Sequence, residues 1–202
     1  MGWGIDYTPK GTEALYREQD GKLLIEIKLQ SLMQIFNSFD PAPFHEKELD
    51  ANAEVYIYNS VAEFPLKKPL ELIIHLPPSE IDTETGETLK KAIKNHFLYR
   101  SLLTDIELRR VLQRGRRNLA IGVVFLFLCL LVIGLLSTVE GSLFKTMLSE
   151  GLTIIGWVAM WEPVNIFLYG WWPLIQKKSF YNKIIAMDVK VSSSLREERP
   201  LN

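Results

Sequence analysis

The stretch Gly151–Lys178, GLTIIGWVAMWEPVNIFLYGWWPLIQKK, decides how the rest of the chain is read. It has the length and apolar character of a membrane-crossing helix, yet Glu162 stands near its centre, Pro163 follows, and aromatic residues run throughout. A span placed at 152–172 makes Glu162 its eleventh residue. A carboxylate at such a depth costs about 2.5–3.5 kcal/mol on insertion scales, so it is expected to be protonated or paired. Helical spacing puts Glu162, Asn165 and Tyr169 on one polar stripe, which must face protein or water because lipid offers no hydrogen-bond partner. Pro163 is expected to kink the helix and free the carbonyl of Ala159. Trp171 and Trp172 fall where an interfacial aromatic belt is expected.

A plainer partner precedes it. Leu119–Val139, LAIGVVFLFLCLLVIGLLSTV, is 21 residues without a charge. At the α-helical rise it covers about 31 Å, enough to cross a bilayer's hydrocarbon core. Arg109, Arg110, Arg114, Arg116 and Arg117 precede it, and Lys177, Lys178 and Lys183 follow the second span. The connection from Glu140 to Glu150 carries a single basic residue, Lys145. The positive-inside bias therefore predicts a multi-pass protein of the cell (inner) membrane with both termini cytoplasmic. The arginine run also suits anionic lipid headgroups, although its role as a topology signal suffices to explain it.

Around this hairpin the chain reads as an α+β cytoplasmic domain. Residues 1–21 are expected to be a flexible lead-in. Within 22–117, Lys22–Leu29 alternates like a half-buried strand, Ser31–Asn37 suits a helical turn, and Glu48–Phe64 has helical spacing closed by Pro65. Pro69–Leu76 alternates again, so strand, helix and strand form a parallel pair. A long helix then runs from the capping region Ser79–Thr88 into the first span as a stalk. Residues 118–175 hold the two-helix hairpin, with spans at 119–139 and 152–172. Residues 176–191 give a cytoplasmic helix and the strand-like Met187–Val191, which can join the sheet and make the hairpin an insertion between strands. Residues 192–202 are expected to be disordered.

The chemistry is sparse. At 202 residues and net charge −1, the chain gives no sign of a nucleic-acid partner. The single cysteine, Cys129, lies in the apolar run, which excludes a disulfide framework. No secretory signal or myristoylation pattern opens the sequence. His45, Glu46 and Glu48 could form a small metal or catalytic site, but matching ligands are not evident, and no cofactor is expected. No glycine-rich phosphate loop follows either strand.

At WVAMWEPVNIFLYGWWP the sequence resembles a family of small, uncharacterised prokaryotic two-span membrane proteins, whose second span reads W-x-P-x-x-I-F-L-Y-x-W-W-P. The likeness extends to FNSFDPAPF at Phe36–Phe44 and to the Arg114-Gly115-Arg116 flank. In that family acidic residues often stand where this chain has Asn165 and Gly170, so the resemblance implies fold and topology rather than a fixed carboxylate array. The first span offers the polar stripe only Cys129, Ser137 and Thr138, which argues for a homo-oligomer through the second span. The expectation is thus a non-enzymatic, oligomeric membrane protein whose cytoplasmic domain senses or binds a protein partner. The alternative is a small oligomeric transporter or channel using Glu162.

Overall fold

The computed structural model describes residues 13, 15–42, 47–81, 83–137 and 143–193. It divides into two compact units, Met1–Leu102 with Lys178–Asn202, and Leu103–Lys177. The protein is α+β, with a four-stranded mixed sheet and long helices, two of which are long and apolar enough to cross a membrane.

The first unit is built on the alternating segments. Strands β1 (Arg17–Gln19), β2 (Lys22–Lys28), β3 (Leu70–His75) and β4 (Asp188–Ser192) lie side by side in that order. β1 runs antiparallel to β2, while β2–β3 and β3–β4 are parallel. Ile25 sits opposite Leu72, and Ile74 has Ile27 on one side and Val191 on the other. This register turns Leu23, Ile25, Leu70, Leu72, Ile74 and Val189 to one face, where they join a single buried core. Helix α1 (Ala51–Ala62) covers that face with Ile57 and Val61, and Asp50 caps it by accepting from the amide of Asn52. Leu89, Ile93 and Phe97 come from the start of α2 (Thr83–Ser137), and Phe180, Tyr181 and Ile184 from the end of α5 (Trp172–Ala186).

The opposite face carries interlaced charges. Lys22 reaches Asp188 at 2.6 Å, Arg17 reaches Glu26 at 3.5 Å, and His75 Nε2 lies 3.0 Å from Glu26 Oε1. Lys190 Nζ is 2.8 Å from Glu71 Oε1, an ion-pair separation outside hydrogen-bonding geometry.

Two expectations for this unit need correction. The lead-in is not irregular throughout 1–21, because Arg17–Gln19 is a strand. It hairpins through Asp20 and Gly21, both at positive φ (51° and 74°), the pair of left-handed residues that a tight β-turn demands. Ser192, expected in the C-terminal tail of 192–202, closes β4; residues 194–202 lie outside the described residues.

The second unit holds the end of α2, then α3 (Leu143–Val158), α4 (Trp161–Asn165), a π-helical turn (Ile166–Gly170) and the start of α5. The connection expected over 140–150 is helical from Leu143, so the helix that carries the second apolar segment begins well before 152. It is also interrupted. α3 stops at Val158, Ala159 and Met160 form a turn, and Pro163 lies within the next short helix, consistent with the backbone donor that proline removes.

Ile74 is fully buried in a strand with partners on both sides. Ile74→Ala is expected to destabilise the first unit by about 2–5 kcal/mol, read from thermal unfolding of the detergent-solubilised protein.

Candidate functional site

From 105 to 175 the buried positions, among the described residues, are Gly115, Gly122, Cys129, Gly156 and Pro163. Each recurs at an interval of seven, three on α2 and two on the returning chain. That is the period of a seam between packed helices, here lined by residues with little or no side chain. A β-carbon on Gly115 would meet Ile166 Cγ2 at 2.7 Å. One on Gly122 would stand 3.0 Å from both the Ala159 carbonyl oxygen and Met160 Sδ. One on Gly156 would come within 2.9 Å of Leu126 Cδ1 and 3.4 Å of Cys129 Cβ. The Ala159 carbonyl, whose helical partner Pro163 eliminates, is therefore turned toward Gly122.

This antiparallel register locates Glu162. Asn118 Nδ2 donates to Glu162 Oε1 at 3.4 Å, and the two face a groove of 480 Å³ with Ile121, Gly122, Phe125, Ala159 and Pro163. Asn118 immediately precedes the uncharged run and follows Arg116 and Arg117. Glu162 is thus level with the basic end of that run, whereas Gly156 is level with its midpoint, Cys129. Counting along the second segment alone places Glu162 at the centre, and Asn118 falls one residue outside the uncharged run that supplies the stripe's expected partners. Ser137 instead donates to the Gly134 carbonyl at 2.6 Å, and Thr138 lies outside the described residues.

The rest of the stripe is not gathered. Asn165 and Tyr169 are exposed, with no side-chain hydrogen bond among the described residues. The π-helical turn widens the helix and takes Tyr169 off α-helical spacing. Trp171 donates to the Phe167 carbonyl at 2.8 Å, and its ring centroid lies 5.8 Å from that of Trp172, a residue 63% exposed. Arg109, Arg110, Arg114, Arg116 and Arg117 are all exposed on α2, and Lys177 and Lys178 lie in α5.

A second polar cluster lies in the first unit and was not foreseen. Arg100 Nε donates to Glu54 Oε1 at 2.6 Å, the Tyr181 hydroxyl approaches the same oxygen at 3.5 Å, and His96 Nε2 is 3.2 Å from Glu54 Oε2. The Leu49 amide donates to His96 Nδ1 at 3.2 Å, so Nε2 carries the proton toward Glu54. Burial opposes ionisation of Glu54, but the His96 hydrogen bond and the Arg100 charge outweigh it and hold its pKa below the usual carboxylate value. Burial and the Glu54 charge push the Tyr181 phenol up. The cluster ties together α1, α2 and α5.

No family model matches this chain, and neither does any curated protein or solved structure. Function has to be argued from the side chains themselves. Both ring nitrogens of His96 are engaged, so it has no free lone pair to act as a base. Glu48 lines a 310 Å³ pocket with Lys47, Asn95, His96 and Tyr99, while His45 and Glu46 lie outside the described residues. Among the described residues, no group of three or more His, Cys, Asp or Glu side chains is arranged to hold a metal ion.

Two outcomes are expected. Gly156→Cys should form an intramolecular disulfide with Cys129 under mild oxidant, since a β-carbon there lies 3.4 Å from Cys129 Cβ, detected as loss of two free thiols by mass. For Glu54, a folded pKa below the unfolded one means its stabilisation is complete above the unfolded pKa and is lost as pH falls through the folded one. Glu54→Gln should destabilise the first unit by about 1–3 kcal/mol at neutral pH and flatten its acid-side stability profile, as followed by thermal melts across pH.

Proposed function

We propose that this chain is an integral membrane protein that crosses the bilayer twice, keeps the sheet-bearing unit in the cytoplasm, and works without catalysis as an oligomeric binding or sensing module. The observation that carries this reading is the apolar window of α2, with mean hydropathy 3.2 and only 11% of its residues buried. A core helix of a water-soluble domain would bury such a stretch, whereas here Ile121, Val124, Phe127, Leu128 and Leu135 are each more than half exposed. Hydrocarbon is the environment that such a surface fits.

Topology adds independent support. The chain leaves the first compact unit after Leu102 and rejoins it at Lys178, so any crossings made by residues 103–177 would be even in number. The arginine flank of α2, with Lys177 and Lys178, favours the cytoplasmic side for that unit. The proposed homo-oligomer through the second segment would cover Trp157 and Trp161, which are 65% and 71% exposed. A cytoplasmic protein partner remains the proposed ligand of the sheet-bearing unit.

The transporter alternative draws on the groove beside Glu162. It is weakened by the register, which puts Glu162 beside Asn118 and the basic flank rather than at mid-depth. Transport would require Glu162→Gln to abolish flux in liposomes with assembly intact, and the present reading expects flux, if any, to be unchanged.

The full-length protein, expressed in a bacterial host, should remain in the pellet after alkaline carbonate extraction. Protease added to intact spheroplasts should leave epitopes at both ends uncut. Release into the supernatant would refute membrane integration, and cleavage of either end would refute the topology.

A further inference from the structure

We propose that the arginine face of α2 is a binding site for the phosphate of an anionic phospholipid, an inference that rests on the membrane reading above. Arg110, Gln113, Arg114 and Arg117 are spaced three, four and seven residues from the first, which places them on one helix face. With Arg116 they line a concavity of 740 Å³. None of these arginines has an ion-pair partner among the described residues, whereas Arg17 pairs with Glu26, Lys22 with Asp188 and Arg100 with Glu54.

Four guanidinium groups within two helical turns repel one another, and a bound phosphate relieves that repulsion. Each guanidinium can grip phosphate oxygens through two parallel hydrogen bonds, and Gln113 adds a neutral donor. A topology signal needs a number of positive charges near the span but no shared face and no concavity. Location selects the source of the phosphate. Arg117 is separated from the uncharged run by Asn118 alone, so the concavity opens at the depth where headgroup phosphates lie.

Tryptophan fluorescence supplies the readout. Glu162 meets Asn118, which sets the neighbouring Trp161 level with the start of the uncharged run, where the acyl chains begin. The protein is reconstituted into phosphatidylcholine vesicles containing, as a minor component, phosphatidylglycerol or phosphatidylcholine brominated near the head of the acyl chain. Brominated phosphatidylglycerol should quench at a several-fold lower mole fraction than brominated phosphatidylcholine. Each Arg→Gln change at 110, 114 or 117 should reduce that preference by about fivefold. Arg110→Lys with Arg114→Lys and Arg117→Lys keeps the charge and loses the forked geometry, and should lose most of the preference.

Equal quenching by the two lipids overturns the proposal, as does full retention of preference in the lysine variant, which would reduce the face to diffuse charge. Relief of quenching by inorganic phosphate, but not by chloride at equal ionic strength, would assign the site to soluble phosphate and overturn the lipid source. Loss of the wild-type protein from carbonate-washed membranes would sink the membrane reading itself. Retention there without lipid preference sinks only the headgroup site.

Discussion

Strands β3 and β4 lie side by side and run the same way, although residues 76–187 separate them in the chain. Parallel neighbours cannot be joined by a tight turn, so a crossover is obligatory. In most α/β folds that crossover is a single helix; here it includes both helices that are long enough and apolar enough to cross a membrane. The pairing of Leu72 with Val189 and of Ile74 with Val191 therefore fastens both ends of the apolar segment to one sheet. Everything between must depart from that unit and come back to it, which is the structural root of the proposed two-span topology.

The apolar segment solves a different problem. Helices in hydrocarbon gain nothing from hiding apolar surface, so close packing between them has to come from shape. Gly115, Gly122 and Gly156 supply that shape by omission, and Cys129 lies against Gly156. Pro163 contributes by stopping the regular helix, which leaves the Ala159 carbonyl pointing into the space that Gly122 leaves open. The kink and the glycine are two halves of one contact. Glu162 inherits its position from this register, beside Asn118, and its meaning changes from an isolated carboxylate at mid-depth to a hydrogen-bonded group next to arginines.

Much of the first unit was legible because period-two alternation is a strong local signal. KLLIEIK and LELIIH became β2 and β3 with the inward residues the pattern demanded, and Ser31 caps a short turn at Leu32–Ile35. β1 was readable too, from Asp20-Gly21, but its three polar residues Arg17, Glu18 and Gln19 carry no alternation to draw attention. The seam was visible as a seven-residue spacing from Gly115 through Gly122 to Cys129. It was obscured by starting the apolar run at Leu119, which cut Gly115 and Asn118 away from it. The Glu54 cluster had no local signature at all. Its members are separated by 42, 46 and 127 positions and are brought together only by the fold.

The order of the strands along the chain has a consequence for biosynthesis. β2, α1 and β3 leave the ribosome before the apolar helices, and residues 188–192, the partner of β3 on its far side, leave after them. Until then β3 has an open edge, with Leu72 and Ile74 beside backbone groups that pair with nothing, the kind of template that recruits other chains. Contacts of such long sequence separation form slowly, because the intervening loop must first be closed. The sheet can be completed only after the whole apolar segment has been made and its return to the same unit achieved. A finished four-stranded sheet is therefore a built-in record that the chain has returned to the first unit.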